Sequence, residues 1–192
     1  EGLSAGQSGA ALVLFTATTV IGAITSGRIM VRVRHYKRPP ILGLALSACS
    51  MALLAAFSGV IHFWLLEILL AVAGFGLGMI FPVSTVAVQN AVAPHQMGTA
   101  TGLMNLLRSL GSALLVAGFG AVFLSVLSAG GASGSVEQLI AGAAESGGNI
   151  AGAFRWVFTA ASAALLIALV FMALMEERPL KSGAHASVAA EA

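Results

Sequence analysis

The sequence predicts an all-α membrane protein, a bundle of about five transmembrane helices, and three observations support this fold class. Hydrophobic residues make up 58% of the chain and charged residues only 8%, which is too little charge to cover a water-soluble surface. The uncharged stretches are long enough for helices that cross the membrane, each of which needs roughly 20 mostly apolar residues. Basic residues concentrate in one short segment between two such stretches.

The five predicted helices occupy most of residues 1–175, and each follows from an uncharged run that ends at a polar break or a turn. The first helix comes from the run before the basic segment, and the second and third are divided at Gly59. The third and fourth are separated by the break at 92–96, and the fifth follows a polar segment at 128–152. The expected bounds are 8–30, 40–59, 63–91, 97–127 and 154–175. Residues 176–192 are expected to form a disordered cytoplasmic tail.

The distribution of charge predicts the orientation of the chain. Short loops rich in Lys and Arg stay on the cytoplasmic side, so the loop between the first two helices is expected inside. The segment 128–152 carries Glu137 and Glu145 but no Lys or Arg, as expected for an outer loop. The N-terminus of this chain is therefore predicted outside and its C-terminus in the cytoplasm. The basic residues of the first loop are Arg28, Arg32, Arg34, Lys37 and Arg38.

Small residues recur every four positions on each predicted helix. Lipid gives helices no hydrophobic drive to associate, so small side chains that let backbones approach closely indicate packing faces. These rows favour a compact bundle over isolated membrane anchors. The rows are Thr18, Gly22 and Ser26; Ala48, Ala52 and Ala56; Gly74 and Gly78; Ala113, Ala117 and Ala121; and Ala160, Ala164 and Ala168.

The fourth predicted helix carries a polar face that is the main candidate for a substrate site. Steps of three and four residues bring four polar side chains to one side of the helix, namely Thr101, Asn105, Arg108 and Ser112. Arg108 lies about 16 Å from the helix start, so its charge is costly in hydrocarbon unless it is paired or hydrated. The face is predicted to line or support a central cavity, together with Gln89 of the third helix. The alternative is that the Arg108 side chain extends to the inner headgroups or binds loop carbonyls.

The third predicted helix contains a candidate hinge. Pro82 has no N–H to donate to the carbonyl of Gly78, so a kink is expected there. Gly74 and Gly78 precede it on one face of the helix. Discontinuous helices near the middle of the membrane often mark transporter binding sites, because their freed backbone groups meet a substrate or an ion. A structural bend that allows close packing is the alternative.

Glu67 is the one carboxylate within a predicted span, roughly one turn below the outer surface. It is a candidate for relaying protons or attracting a cation. The alternative is a side chain that is solvated or paired at the interface. The sequence alone leaves both interpretations open.

The residues present exclude several other classes of protein. The chain contains no Asp, and its histidines lie in four separate loops, at His35, His62, His95 and His185. Neither a Ser-His-Asp triad nor a histidine-rich metal site is therefore expected. The basic residues are too few and too unevenly placed for binding nucleic acid. We expect no enzyme activity and no metal.

Four motifs lie between Gly74 and Gly120. They are a glycine-rich span, the run Val-Gln-Asn-Ala at 88–91, the run Gly-Thr-Ala-Thr-Gly at 98–102, and Arg-Ser-Leu-Gly at 108–111. This combination resembles the penultimate spans of drug:proton antiporters of the fourteen-span type in the major facilitator superfamily.

The basic segment is similar to the cytoplasmic gating loop of the same superfamily. The matching positions are Gly27, Arg28, Arg32 and Arg38. The segment departs from the family pattern at Val31, where the family often has Asp. Without that acid, only the basic part of the gating contacts is expected here.

The resemblance covers nearly the whole chain and implies the C-terminal portion, the last five spans, of a secondary transporter that works by alternating access. It implies export of drugs or other amphipathic or cationic small molecules, driven by protons as the coupling ion and without any other cofactor. The expected partners are the lipid bilayer, the substrate and a missing N-terminal half. The expected location is the plasma membrane, the inner membrane of a bacterium. A metabolite transporter of the same superfamily and a non-transporting scaffold subunit are the alternatives.

Overall fold

The computed structural model describes residues 5–32, 37–58, 62–129 and 150–175, and these residues form six α-helices and one short 3₁₀-helix. The α-helices are α1 (Ala5–Arg32), α2 (Arg38–Phe57), α3 (Phe63–Gly78), α4 (Ile80–Ala91), α5 (Met97–Ala129) and α6 (Ile150–Leu174). The 3₁₀-helix, Pro94–Gln96, connects α4 to α5. The described residues contain no strand. The tail at 176–192, expected to be disordered, lies outside the described residues.

Five stretches are long and apolar enough to cross a membrane, which confirms an all-α fold with five candidate spans. They are Gly9–Met30, Arg38–Phe57, Phe63–Ala91, Pro94–Val126 and Gly152–Leu174. The third span consists of α3 and α4 in succession, the fourth is α5, and the fifth is α6. Each stretch begins or ends within a few residues of the bounds expected from the sequence.

The third span is broken at Met79, where the sequence predicted one helix over 63–91. Pro82 has no backbone N–H, so the carbonyl of Gly78 lacks its helical donor. The Met79 N–H is shared between the carbonyls of Phe75 and Gly76, at 3.3 and 3.2 Å. The chain then resumes a helical course at Ile80. The break therefore has the local cause that the proline predicted.

Helix α3 packs between α1 and α2, and its glycines make this close packing possible. Gly74 and Gly78 lie one turn apart and face α1, where an added Cβ would lie 2.8 Å from the carbonyl oxygen of Phe15 and would overlap that of Thr19. Gly76 points the other way and lies against Gly43 of α2. Residues 74, 76 and 78 thus let two neighbouring backbones approach α3 from opposite sides.

Buried serines join the packed helices through hydrogen bonds to backbone carbonyls. The Ser26 hydroxyl of α1 donates to the Met79 carbonyl at the break, at 2.8 Å. The Ser47 hydroxyl of α2 donates to the Ala73 carbonyl of α3, at 2.9 Å. On the other side of α2, the Ser162 hydroxyl of α6 donates to the Ala48 carbonyl, at 3.1 Å. Such bonds between helices each contribute roughly 0.5–1.5 kcal/mol inside a membrane protein.

Helix α5 lies at the edge of this arrangement. Its C-terminal part packs against α6, where Phe123, Leu124 and Val126 surround the fully buried Ala153. The rings of Phe123 and Phe154 are 5.4 Å apart. Along the rest of its candidate span no residue of α5 is buried by the described residues. The small-residue row at 113, 117 and 121 is exposed as well.

Candidate functional site

The polar face predicted on the fourth span lies on α5 and is uncovered. Asn105, Arg108 and Ser112 are exposed and Thr101 is half-buried. The opposite face of the same helix consists of leucines that are also more than half exposed, at positions 103, 106, 107, 110 and 114. A helix with one leucine face and one polar face suits different surroundings on its two sides. The leucine face suits lipid, and the polar face suits water or protein.

Arg108 lies over the ring of Phe81, with 5.1 Å between the guanidinium carbon and the ring centroid. A cation over an aromatic face is attracted by the ring quadrupole, which contributes about 0.5–1 kcal/mol at exposed sites and more when water is excluded. Phe81 comes directly before Pro82 and one residue after the start of α4. The guanidinium is therefore held beside the helix break and does not extend to either end of α5.

The hydroxyl groups of the polar face donate hydrogen bonds to backbone carbonyls of α5 itself. Thr101 donates to the Met97 carbonyl and Ser112 to the Ser109 carbonyl, each at 2.8 Å. Their oxygens keep lone pairs that accept hydrogen bonds. Asn105 supplies both donors and an acceptor, and Arg108 supplies donors only. The face can therefore bind a ligand that combines a donor with an acceptor group.

Gln89 lies on α4 and is half-buried. Helix α4 contacts α5, so the structure brings the Gln89 segment and the polar face to neighbouring helices. No hydrogen bond joins the side chains of Gln89 and Asn105 in the described residues. The role of Gln89 in the cavity stays a prediction.

The candidate hinge residues lie on both sides of the break at Met79. Gly74 and Gly78 are buried against α1, while Pro82 is half-buried in α4. The Met79 carbonyl accepts the hydrogen bond from Ser26, whose side chain is fully buried. In this conformation the break is thus held by a hydrogen bond from the neighbouring helix.

The four positions matched to the gating loop lie in the ends of two helices. Gly27, Arg28 and Arg32 belong to the last turns of α1, and Arg38 is the first residue of α2 and is exposed. Residues 33–36 lie outside the described residues. Lys37 Nζ donates to the carbonyl of Ala173 near the end of α6, at 3.3 Å. A basic residue of this segment therefore satisfies a helix C-terminus, as the helix dipole favours.

Several residues of the packed helices carry interactions that the sequence analysis missed. Ser47 and Ser162 form hydrogen bonds between helices, and each stands next to an alanine or a small residue that marks a packing face. Arg155 lines an open groove between α2 and α6, together with alanines 52, 55, 56 and 163. The sequence could have indicated this residue, because Arg155 is a charged residue at the second position of the predicted fifth helix. No group of three or more potential metal ligands occurs in the described residues.

These observations define a multi-pass helical membrane protein with a polar face at mid-span. The family model described as Major Facilitator Superfamily matches residues 2–191 of the sequence. The chain therefore belongs to that superfamily. The family match agrees with the transporter class inferred from the motifs at 74–120.

Two relatives match this chain over a small part of their own length. Over 127 residues the chain is 29% identical to an uncharacterised MFS-type transporter of Mycobacterium tuberculosis, a match that covers 66% of this chain and 18% of that protein. Over 124 residues it is 27% identical to the multidrug resistance protein fnx1 of Schizosaccharomyces pombe, covering 63% of this chain and 23% of that protein. The chain thus matches less than a quarter of each relative's length. No solved structure matches the chain.

Proposed function

We propose that this chain is the C-terminal part of a fourteen-span secondary transporter of the plasma membrane that exports drugs or other amphipathic or cationic small molecules in exchange for protons. The observation that carries the proposal is the two-faced helix α5, with a guanidinium at mid-span opposite a row of leucines. Hydrocarbon tolerates a guanidinium at that depth only where it is paired or hydrated. The polar face therefore borders a hydrated passage that this chain forms with the rest of the transporter.

The substrate class follows from the groups on that face and from the relatives. The described part of the polar face offers a fixed positive charge, an amide and hydroxyl acceptors, with the aromatic ring of Phe81 beside them. Like charges repel, so Arg108 favours amphipathic molecules with an acceptor group over small simple cations. One relative is named a multidrug resistance protein, which supports export of such molecules.

The break at Met79 offers a route for alternating access. Helix α3 is held between α1 and α2, whereas α4 on the far side of the break carries Phe81 and contacts α5. A change of angle at the break moves Phe81, and with it the ring on which Arg108 rests. The same face can thereby be presented to one side of the membrane and then to the other.

The function is tested in the full-length transporter, in inverted membrane vesicles with an imposed proton gradient and norfloxacin, an amphipathic aromatic drug with a carboxylate acceptor, as the substrate probe. Arg108→Ala is expected to lose most proton-driven norfloxacin uptake, while the amount of protein in the membrane is unchanged. Leu107→Ala, on the lipid-facing side of the same helix, is the matched control and is expected to keep uptake. Equal uptake by wild type and Arg108→Ala would remove the polar face from the transport mechanism.

The same vesicles separate the alternatives. A metabolite importer predicts that protons and substrate move in the same direction, so imposed gradients drive substrate out of the inverted vesicles. A scaffold subunit predicts no gradient-driven movement in either direction, and no effect of Arg108→Ala on any flux.

A further inference from the structure

The open groove between α2 and α6 lies at the end of the bundle where α2 ends and α6 begins. It has a volume of about 360 Å³, with alanines 52, 55 and 56 on the α2 side and Thr159, Ala163 and Leu166 on the α6 side. From Arg155 to Leu166 the groove follows α6 for about 16 Å. The small side chains along it leave room for a slender, extended ligand.

Arg155 is the one side chain of this groove whose hydrogen-bond donors are not already used. The Thr159 hydroxyl donates to the Arg155 carbonyl at 2.8 Å, and the Ser162 hydroxyl donates to the Ala48 carbonyl at 3.1 Å. The guanidinium is exposed and forms no hydrogen bond, ion pair or ring contact with another described residue. The groove therefore offers its ligand a positively charged fork and no other free side-chain donor.

The described residues contain no carboxylate that compensates the charge of Arg155. Their one carboxylate, Glu67, belongs to α3, is 8% exposed and forms no ion pair with Arg155. A guanidinium binds phosphate well, because its planar fork donates two parallel hydrogen bonds to the phosphate oxygens. The charge and its shape therefore favour a ligand that carries a phosphate.

Arg155 lies at the depth of the lipid headgroups. The candidate span begins at Gly152, so Arg155 is only about 5 Å inside it. Trp156 beside it is 58% exposed, and Trp64, in the first turn of α3 at the same end of the bundle, is 74% exposed. Tryptophan is enriched where lipid headgroups meet water. A phosphate bound at this level suits a phospholipid.

A phospholipid fits the groove better than a further helix of the transporter does. A helix laid over the groove would take the guanidinium out of water, which is costly unless that helix also supplies an acid. A phospholipid brings the phosphate and an apolar chain together. A helix with its side chains is about 10 Å wide, whereas an acyl chain is slender enough to lie against the alanines. Leu53 and Ile167, which follow Ala52 and Leu166, are exposed beside the groove, as suits a surface in contact with lipid.

We propose that this groove is a binding site for an anionic phospholipid, with the phosphate on the Arg155 guanidinium and one acyl chain along the alanines. The net negative charge of such a lipid compensates the arginine, whereas a zwitterionic lipid brings a cation of its own close to it. The bound lipid contacts the same two helices that Ser162 joins through the Ala48 carbonyl. Binding requires neither a substrate nor a proton gradient, so it stands apart from the proposed export function.

The first test measures lipid binding to the purified, delipidated full-length transporter by native mass spectrometry. Dioleoyl phosphatidylglycerol is the anionic probe, and dioleoyl phosphatidylcholine is the zwitterionic one. The wild type is expected to bind phosphatidylglycerol at least about fivefold more tightly. Arg155→Ala is expected to lose this preference, and Arg155→Lys to keep part of it, because an ammonium keeps the charge but not the fork. No preference in the wild type, or an unchanged preference in Arg155→Ala, would overturn the proposal.

The second test separates the groove from the charge. Ala163 and Ala168 are both exposed alanines of α6, but Ala168 does not line the groove. Ala163→Phe fills the groove and is expected to weaken phosphatidylglycerol binding at least about threefold, although Arg155 is unchanged. Ala168→Phe is the matched control and is expected to bind as the wild type does. Equal affinities of the two variants would overturn the proposal.

The same assay distinguishes the other occupants. If free phosphate is the ligand, added inorganic phosphate displaces phosphatidylglycerol completely. If a helix of the transporter covers the groove, phosphatidylglycerol affinity is the same in every variant while Arg155→Ala lowers the melting temperature. Either result contradicts the proposal. Each variant is first shown to be monodisperse by size-exclusion chromatography, so that a loss of binding is not a loss of folding.

Discussion

The third span, formed by α3 and α4, and the fourth span, formed by α5, are both apolar enough to cross a membrane, yet the described residues bury part of the third and leave the fourth open. In the third span 39% of the most apolar stretch is buried, against none in the fourth. Both helices contain glycines, but Gly76 and Gly78 lie against neighbouring backbones while Gly102 and Gly111 have nothing within 4 Å of an added Cβ. The same residue type thus serves close packing in α3 and has no contact in α5.

The difference separates helices that the described residues pack together from one that they leave open. Helices α1, α2, α3 and α6 satisfy one another through glycine contacts and serine hydrogen bonds. Helix α5 offers an exposed polar face at mid-span, where the Arg108 guanidinium lies over the ring of Phe81. Four predictions for the full-length protein test this difference.

The largest effect is expected for adding a methyl group at a glycine of α3. Gly78→Ala places a Cβ against the Thr19 carbonyl and is expected to lower the free energy of unfolding by about 1–3 kcal/mol. Gly102→Ala of α5 is the control and is expected to be neutral or to stabilise by up to about 1 kcal/mol, because alanine favours helix. Thermal unfolding of the purified proteins measures both. Equal destabilisation would show that α5 is packed as tightly as α3.

The two faces of α5 are expected to react differently with a water-soluble maleimide. In a background of Cys49→Ser, we expect Asn105→Cys to be labelled at least about tenfold faster than Leu107→Cys, because the thiolate is the reacting form and apolar surroundings disfavour it. Rates are measured in intact membranes. Similar rates at both positions would mean that the polar face borders no water.

The serine at the helix break is expected to contribute more than a serine of the polar face. Ser26→Ala removes a buried hydrogen bond to Met79 and is expected to cost about 1 kcal/mol of unfolding free energy. Ser112→Ala, whose bond stays within its own exposed turn, is expected to change stability by less than about 0.5 kcal/mol. Denaturant titration compares the two. The reverse order would contradict the assignment of Ser26 as a contact between helices.

The smallest effect is expected for the pair that joins α4 to α5. A double-mutant cycle with Phe81→Leu and Arg108→Met should give a coupling energy of about 0.5–1 kcal/mol. Phe171→Leu, on the exposed side of α6, should show no coupling to Arg108→Met. Both cycles use the unfolding free energy. Zero coupling at Phe81 would mean that the guanidinium rests elsewhere in the assembled transporter.

Much of the fold could be predicted because hydropathy and charge act locally. The uncharged runs predicted the five spans, and Pro82 predicted the interruption three residues before it, since a missing N–H is a property of the residue itself. The spacing of Thr101, Asn105 and Arg108 predicted a shared polar face for the same reason. The first helix was predicted to end at residue 30, and α1 continues to Arg32 because a basic residue does not by itself end a helix.

The partners of particular side chains could not be predicted in this way. Ser47 and Ser112 are both serines in apolar helices, yet one hydroxyl crosses to Ala73 and the other stays within its own turn. Which outcome occurs depends on the neighbouring helix and not on the adjacent sequence. The same holds for Arg108, whose contact with Phe81 spans two helices.

That this chain spans a membrane several times, where its helices run and where one of them is interrupted could all be predicted, because these properties follow from the solubility and hydrogen bonding of consecutive residues. The enclosure of α3, the burial of Glu67 and the open polar face of α5 became known only from the packed helices. Burial and pairing depend on residues far apart in the chain, and these meet only when the helices pack.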